Sequence, residues 1–409
     1  MRVLQVNKYY YPKSGSERYF FDVSAMLQNH GHEVIPFAMK HKKNVETVYS
    51  EYFVENIDYD TIIKKSVLNK MFAFFKIIYS FEAEEKIKSL ITREKPDIAH
   101  VHKFSNTLTP SVLYGIKKFK IPIIQTLHDY RTICPNYNLF DFRKFELCEE
   151  CKGHHYFNAI KRRCQKSSML VGLNVAMESY LYNFMQTYEN TIDLFISPSN
   201  FMREKMVEFG VDKKKILCIP NFVNSNNYLP KYCDSNYILY FGRLEKNKGV
   251  QTLIKAMKYV EDCKLYLIGS GDYRIGLDRI IRNSLIKNVK FFGFLKREQL
   301  INLIRNSLFT VLPSEWYENC PMTILESFAL GKPVIGANIG GIPELVDHGS
   351  TGLLFEPGNI KDLAEKINCL LQNKNLTVEM GKNARKKVEQ NYNEEIHYKR
   401  LINAYEHII

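Results

Sequence analysis

The segment Ser314–Gly336, SEWYENCPMTILESFALGKPVIG, decides the fold. Pro321 suits the first turn of a helix that ends near Leu330. A short β-rich run, Phe309–Leu312, precedes this helix, and a second run, Pro333–Ile335, follows it. Strand, helix and strand in this order and at these lengths are typical of a parallel sheet covered by helices.

The same alternation of strands and helices extends in both directions, but a polar stretch at Asn224–Asn236 interrupts it. We therefore predict an α/β protein with two Rossmann-like, doubly wound domains that face each other across a cleft. Residues 1–225 form the first domain, with an insertion at about 134–164, and residues 236–383 form the second. Residues 384–409 have a helical pattern and no strand after them, so we expect a final helix that packs back on the first domain.

Composition narrows the class of protein. Of 409 residues, 45% are apolar and 25% charged, which is ordinary for a globular protein. The net charge of +13 favours an anionic partner. The sequence has no stretch of 18 uncharged apolar residues and no signal-peptide pattern, and nine cysteines are most simply reduced thiols. We therefore expect a cytoplasmic protein that can lie peripherally on the inner face of the membrane.

Two turns have the composition of anion sites. Gly15 and Ser16 follow the first predicted strand and open a helix, whose terminus favours negative charge. In YFGRLEKNKGV, Tyr240–Val250, Arg243 and Lys248 follow a buried strand and suit a diphosphate. The alternatives are an ordinary capped turn for the first and two solvated surface cations for the second.

The deciding segment also contains two carboxylates, Glu318 before its helix and Glu326 within it. The backbone amides around Met322 and Thr323 lie at the positive end of the helix. Paired carboxylates at this place suit sugar and ribose hydroxyls. The alternatives are a loop charge for Glu318 and an exposed helix residue for Glu326.

Taken together, these segments resemble the retaining glycosyltransferases of family 4, which have the GT-B architecture. The resemblance covers nearly the whole chain, and its specificity lies in the ordered series of motifs. Besides the three segments above, it includes YPKSGSERY near the start, QTLHDY at Gln125–Tyr130, ISPSNFMREKM at Ile196–Met206, IPNFVN at Ile219–Asn224, LIGSGD at Leu267–Asp272, FFGFL at Phe291–Leu295 and GGIPELVDHGSTGLLF at Gly340–Phe355.

The resemblance implies a role for each matching position. Arg243 and Lys248 match the cations on the donor diphosphate, and Gly15 and Ser16 match the loop that closes over the phosphates. The first domain would be the acceptor side, and the second would bind the nucleotide sugar. The family often has Gly-Gly where this chain has Ser14-Gly15, which removes no side chain that the chemistry needs.

Glu318 matches the family's glutamate that contacts the hydroxyls of the donor sugar. Glu326 matches the family's glutamate that binds the ribose of the nucleotide. His128 matches the histidine that faces the donor sugar from the first domain; the alternative is a buried core histidine. The family's proposed route needs no separate protein base, and we expect no catalytic metal. The only Asp-x-Asp, Asp58–Asp60, lies far from the donor segments and is incidental.

These matches imply an enzyme that moves a sugar from a nucleotide diphosphate to a hydroxyl, with retention at the anomeric carbon. The expected acceptor is a lipid-linked or polysaccharide intermediate of bacterial cell-surface glycan synthesis, and the expected class is a hexosyltransferase-like EC 2.4 enzyme. A sugar-nucleotide epimerase of the same fold is the alternative reaction.

Four cysteines cluster in the insertion: Cys134, Cys148, Cys151 and Cys164. Their spacing, with a Cys-x-x-Cys pair, fits a structural zinc, with His154 or His155 as an alternative for one ligand. The alternative to a zinc site is four ordinary buried thiols. A zinc-containing nucleic-acid binder is the competing class of protein. We expect no nucleic-acid partner, because the positive charge is spread over both halves of the chain and no recognised nucleic-acid motif accompanies the cysteines.

Residues 61–80, TIIKKSVLNKMFAFFKIIYS, combine four lysines with aromatic side chains and contain no acidic residue. This pattern is typical of a helix on an anionic membrane surface. The alternative is a helix whose aromatic side chains are core and whose lysines are solvated.

Overall fold

The computed structural model describes residues 1–56, 78–104, 107–164, 168–232 and 235–409, and its frame is two parallel six-stranded sheets. The strands of the first sheet are β1 Arg2–Val6, β2 Glu33–Phe37, β3 Ile98–Val101, β4 Ile123–Thr126, β7 Leu194–Ser197 and β8 Ile216–Cys218. Those of the second are β9 Tyr237–Phe241, β10 Lys264–Ile268, β11 Val289–Gly293, β12 Thr310–Leu312, β13 Val334–Ala337 and β14 Gly352–Phe355. Two Rossmann-like sheets with helices confirm the predicted α/β fold class.

In the first sheet the strand order is β2-β1-β3-β4-β7-β8, with all pairs parallel. Its strands are almost continuously apolar because helices cover both faces; Val3, Leu4 and Val6 of β1 are fully buried. The helices of this half are Gly15–Asn29, Phe81–Glu94, Ser111–Lys117, Asn158–Arg162, Met169–Phe184, Thr187–Thr191 and Asn200–Glu208.

The second sheet has the order β11-β10-β9-β12-β13-β14. Its helices are Val250–Ala256, Arg274–Asn283, Arg297–Arg305, Met322–Ala329, Ile342–Leu345, Ile360–Gln372 and Lys374–Asn391. The first of these begins after Gly249, which is left-handed (φ 69°), and continues into a 3₁₀ turn at Met257–Tyr259. A Cβ on Gly249 would lie 1.7 Å from the Pro313 carbonyl oxygen, so glycine allows the two loops to touch.

The end of the chain forms two helices where we predicted one continuous segment. Lys374–Asn391 stops at Tyr392, and Asn393 caps Glu394–Ile408 by accepting a hydrogen bond from the Ile396 amide (2.9 Å). The final helix lies against the first half of the molecule. The ring of Tyr398 stacks on His30 with centroids 3.6 Å apart, and Tyr405 is fully buried.

The chain crosses between the two halves twice, and the two crossings lie side by side. The Val223 amide donates to the Tyr392 carbonyl (3.0 Å), and Asn224 Nδ2 donates to Glu394 Oε2 (2.6 Å). The segment that leaves the first half is therefore hydrogen-bonded to the segment that returns to it.

An insertion separates β4 from β7. It contains a short antiparallel pair, β5 Phe140–Asp141 and β6 Glu146–Leu147, and the four clustered cysteines. Of the predicted membrane-surface segment, residues 61–80, the part at 61–77 lies outside the described residues. Within the ranges that the structure describes, none of the helices combines the length and apolarity needed to cross a bilayer.

Candidate functional site

A cavity of about 370 Å³ lies between the two halves and is lined by loops that follow β1, β4, β9 and β12. Ligands of doubly wound sheets bind at the carboxyl ends of strands, and this cavity takes that place from both sheets at once. The structure brings to it eight of the nine predicted active-site and donor-binding residues: Gly15, Ser16, His128, Arg243, Lys248, Glu318, Met322 and Thr323.

Lys248 and Glu318 form the charged centre of the cavity. Lys248 ends a 3₁₀ turn just before Gly249, and its Nζ donates to Glu318 Oε1 over 2.7 Å. The Ser314 hydroxyl donates to the same oxygen, also over 2.7 Å. Burial by itself would raise the pKa of Glu318, but the charge of Lys248 and these hydrogen bonds hold it below its usual value. Glu318 is therefore a carboxylate, and Lys248 is fixed in direction.

Arg243 lies on the rim of the same cavity. Its side chain is 58% exposed and pairs with Glu245 over 2.7 Å. An exposed ion pair of this kind is weak, so the guanidinium can exchange Glu245 for a ligand phosphate at little cost. The two cations thus differ: Lys248 is held by a buried carboxylate, whereas Arg243 is open to solvent.

Four residues that line the cavity have a buried polar atom without a hydrogen-bond partner among the described residues: Tyr130, Trp316, Asn319 and Thr323. Two of these atoms are Thr323 Oγ1, at the start of the Met322–Ala329 helix, and Asn319 Oδ1, in the loop before it. Leaving such an atom without a hydrogen bond costs about 1–3 kcal/mol. Both atoms lie beside the helix N-terminus, so a polar ligand there would satisfy them and meet the positive end of the helix.

His128 lines the cavity as a neutral imidazole. Burial, with the charge of Lys103, lowers its pKa well below the usual range. Its Nε2 lies 3.1 Å from His102 Nδ1, and His102 Nε2 lies 2.7 Å from Gln5 Oε1. Because Gln5 Oε1 only accepts, His102 donates through Nε2 and accepts through Nδ1, and His128 donates through Nε2. This leaves Nδ1 of His128 as an acceptor.

Glu326 lies elsewhere. It does not line the cavity; its carboxylate pairs with Arg18, from the first half, and lies 3.4 Å from Arg297. Tyr228 accepts a hydrogen bond from Arg18 (2.9 Å) and contacts Arg297 as well. The structure therefore shows Glu326 bound by two arginines, and a ribose hydroxyl would have to compete with them.

Sequence reasoning missed several residues at this site. Asn319 Nδ2 donates to the His128 carbonyl (3.3 Å), which joins the two halves, and the ring of Trp316 lies 4.5 Å from Lys248 Nζ. Both residues stand beside Glu318 in the quoted segment, and that adjacency is the signal that would have found them. Arg18, two residues after Ser16, carries no such signal, because its partner is 308 positions away.

The four cysteines of the insertion line one small cavity together with Arg162 and Asn136. Burial raises the pKa of Cys134 to about 11 and that of Cys164 to about 12, and the charges of neighbouring cysteines contribute at Cys151. As they stand in the described part of the chain, no three His, Cys, Asp or Glu side chains form a group that holds a metal. The thiols are therefore close together without converging on one point.

Four histidines with lowered pKa values predict an acid-sensitive fold. Burial lowers the pKa of His397 to about 3 and those of His100, His102 and His128 well below the usual value. The unfolded chain takes up these protons near pH 6.5 and the folded chain does not, so stability is present above that pH and lost as pH falls below it. The loss approaches about 5 kcal/mol per pH unit for four such groups.

We expect the melting temperature to fall between pH 7.5 and 5.5, as measured by thermal unfolding in both buffers. His397→Gln removes one of the four groups and should make the dependence shallower. An equal melting temperature at the two pH values would contradict the assignment of neutral histidines.

Two family models match the chain. One, Glycosyltransferase Family 4, covers residues 13–227, and the other, Glycosyl transferases group 1, covers residues 224–387. The chain thus belongs to glycosyltransferase family 4, as the motifs predicted. It is a sugar-transferring enzyme of the EC 2.4 class.

Relatives and solved structures agree with this assignment. The N-acetyl-alpha-D-glucosaminyl L-malate synthase of Bacillus anthracis is 23% identical over 95% of this chain and 91% of its own. The capsular polysaccharide biosynthesis glycosyltransferase CapM of Staphylococcus aureus is 29% identical over 51% and 58%. The Anabaena protein HepE, solved with UDP and glucose, superposes with a TM-score of 0.70 at 18% identity, covering 99% of both chains. The last comparison shows the fold alone.

Proposed function

We propose that this enzyme transfers a hexose from a nucleoside diphosphate to a hydroxyl acceptor with retention at the anomeric carbon. The observation that carries the proposal is the cavity between the halves, where Lys248, Arg243 and the start of the Met322–Ala329 helix face one space. Three positive features in one place suit a pyrophosphate, and Glu318 beside them suits sugar hydroxyls.

The chemistry follows from where charge develops. The bond between the anomeric carbon and the phosphate oxygen breaks with its electron pair on that oxygen, and Lys248 and the helix terminus stabilise the resulting negative charge. The acceptor oxygen forms the new bond on the same face of the sugar, and its proton passes to the departing phosphate oxygen. His128, neutral and with Nδ1 free to accept, orients a donor-sugar hydroxyl and adds no positive charge beside the oxocarbenium-like centre.

For the donor and acceptor we propose a uridine nucleotide sugar and an intermediate of cell-surface polysaccharide synthesis, either lipid-linked or a growing polysaccharide. The donor is supported by the UDP and glucose with which the Anabaena neighbour was solved, and the acceptor by the capsular polysaccharide role of the S. aureus relative. We place the reaction in the cytoplasm because nine cysteines, an odd number, are most simply reduced thiols.

A thermal-shift panel of nucleoside diphosphates and sugar nucleotides tests the donor. A ligand at 100 times its Kd adds about 2.7 kcal/mol of stability, so one member of the panel should raise the melting temperature clearly above the others. A lack of response to every nucleotide would contradict the proposal. Turnover of a labelled donor to an isomeric sugar nucleotide without any acceptor would instead indicate an epimerase.

We also propose that the cysteine cluster holds a structural zinc. Four thiols around one small cavity are the ligand set of such a site, and a closed Cys₄ site has no open position for catalysis. Zinc binding would require the four sulfurs to turn inward from their present positions, and it would release the protons that burial retains.

Cys151→Ser is expected to reduce the zinc content from about one atom per chain to near zero and to lower the melting temperature. Elemental analysis and thermal unfolding measure the two effects. Cys369→Ser, outside the insertion, is the matched control and should change neither. Zinc-free wild-type protein whose melting temperature is unaffected by Cys151→Ser would rule out the site.

A further inference from the structure

The helix Met169–Phe184 presents an apolar face to solvent. Along a surface helix, positions three and four apart share a face, and that face is normally polar where it meets water. In this helix the exposed large apolar side chains, continued by the residue after it, are Met169, Leu170, Leu173, Met177, Tyr180, Leu181, Phe184 and Met185. Leu170 is 75% exposed and Phe184 is 86% exposed, so no part of the chain that the structure describes covers this continuous surface.

This face is exposed on a helix whose opposite side is firmly held. Gly172 packs so closely that a Cβ there would lie 2.7 Å from the Ala159 carbonyl oxygen. Glu178, the only charged residue of the helix, points inward and pairs with Arg131 over 3.1 Å, with both side chains mostly buried. The helix therefore cannot rotate to hide its apolar side chains without breaking a buried ion pair.

We propose that this face, with the neighbouring turn at residues 157–163, docks on an anionic lipid bilayer. Phe157 is exposed beside it, since its amide donates to the Tyr180 hydroxyl (3.1 Å), and Lys161 and Arg163 are exposed on the adjoining helix end. The apolar and aromatic side chains suit the acyl layer of a bilayer, and the lysine and arginine beside them suit the anionic headgroups. A protein interface needs hydrogen-bonding groups, and the exposed ones on this helix are limited to Asn174 and Tyr180, whose hydroxyl already accepts from the Phe157 amide.

The docking surface is tied to the candidate active site through one residue. Arg131, the partner of Glu178, follows His128 by three positions, and its amide donates to Asp129 Oδ1 (3.1 Å). Asp129 lines the cavity with His128. A bilayer under the helix would therefore hold the first half of the cavity at a fixed position relative to the lipid surface. This orientation matters for a lipid-linked acceptor, and in that respect the inference rests on the proposed function.

The test is co-sedimentation of the full chain with vesicles of phosphatidylglycerol and phosphatidylcholine, and with vesicles of phosphatidylcholine alone. We expect the wild-type protein to bind the anionic vesicles and Leu170→Ser/Phe184→Ser to bind them at least about tenfold more weakly. Ile275→Ser/Leu285→Ser is the matched control, because those side chains are 73% and 82% exposed on the other half of the molecule. It should bind as the wild type does.

Several results would overturn the proposal: no binding by the wild type, equal binding to both kinds of vesicle, or equal binding by wild type and Leu170→Ser/Phe184→Ser. Loss of binding in Lys64→Glu/Lys65→Glu but not in the helix variant would place the contact in residues 61–80 instead. A wild-type dimer that Leu170→Ser/Phe184→Ser dissociates, without vesicle binding, would assign the face to a second copy of the chain.

Two further readouts keep the outcome clear. Equal melting temperatures of the variants show that a loss of binding is not a loss of folding, and Met177→Gln/Met185→Gln gives a second test on the same face. The donor thermal shift, measured without lipid, is expected to be equal in all of these variants. Its absence in the wild type would count against the proposed function and leave the vesicle result standing.

Discussion

Lys248→Ala is expected to lower kcat by about 100- to 1,000-fold, the usual cost of removing one preorganised group that stabilises developing charge. The Nζ of Lys248 is fixed by Glu318 at 2.7 Å, so it is in place before the diphosphate leaves. Release of nucleoside diphosphate at saturating donor and acceptor measures kcat.

Lys246→Ala is the matched control for that experiment. Lys246 belongs to the same 3₁₀ turn but is exposed, with its Nζ 4.1 Å from the centre of the Phe145 ring. It should leave kcat within about threefold of the wild type. Glu318 keeps the hydrogen bond from Ser314 in the Lys248 variant, and a melting curve shows whether the fold survives. A Lys248→Ala enzyme with nearly normal kcat would remove Lys248 from the reaction.

Gly249→Ala is expected to destabilise the protein by about 3 kcal/mol or more and to lower the melting temperature by roughly 4 °C or more. Two costs add up. Gly249 has a φ of 69°, which a Cβ makes unfavourable by about 1–2 kcal/mol. The same Cβ would lie 1.7 Å from the Pro313 carbonyl oxygen, so the loop after β9 and the loop after β12 would have to separate.

Gly358→Ala separates the two costs. Gly358 has a similar φ of 76°, but no atom lies within 4 Å of the position that its Cβ would take. It should therefore show only the smaller, conformational part of the loss. Because Lys248 and Glu318 sit on the two loops that Gly249 joins, the Gly249 variant should also lose donor binding. Equal melting temperatures for the two alanine variants would show that the loop contact contributes nothing to stability.

Much of this architecture was predictable from sequence because it depends on local patterns. The buried strands, the glycines after them and the helix at Met322–Ala329 are each read from a few neighbouring residues. The resemblance placed Arg243 and Glu318 at one site although 75 positions separate them, and parallel strands, which bring their carboxyl ends to one edge, give the physical reason.

What sequence reasoning missed depends on contacts with no local trace. The two arginines that pair with Glu326, Arg18 and Arg297, lie on opposite halves of the molecule. The sequence around Glu326 contains no pattern that predicts either of them. The sequence also did not predict that the apolar face of Met169–Phe184 is exposed. Apolar residues recur at helical intervals in the same way whether that face of the helix is buried or exposed. The break at Tyr392 lacks a proline or glycine, and only the cap at Asn393 marks it.

The hydrogen bonds between Val223 and Tyr392, and between Asn224 and Glu394, have a mechanical consequence. Two adjacent chain crossings between rigid bodies join them along one short edge. Sliding or twisting of the lobes would stretch one connection against the other, whereas swinging about that edge strains neither. Rotation about the edge at Val223 and Tyr392 is therefore the relative movement that these two connections oppose least, and the contacts from Arg18 to Glu326 and from Asn319 to His128 are among those that it would have to break.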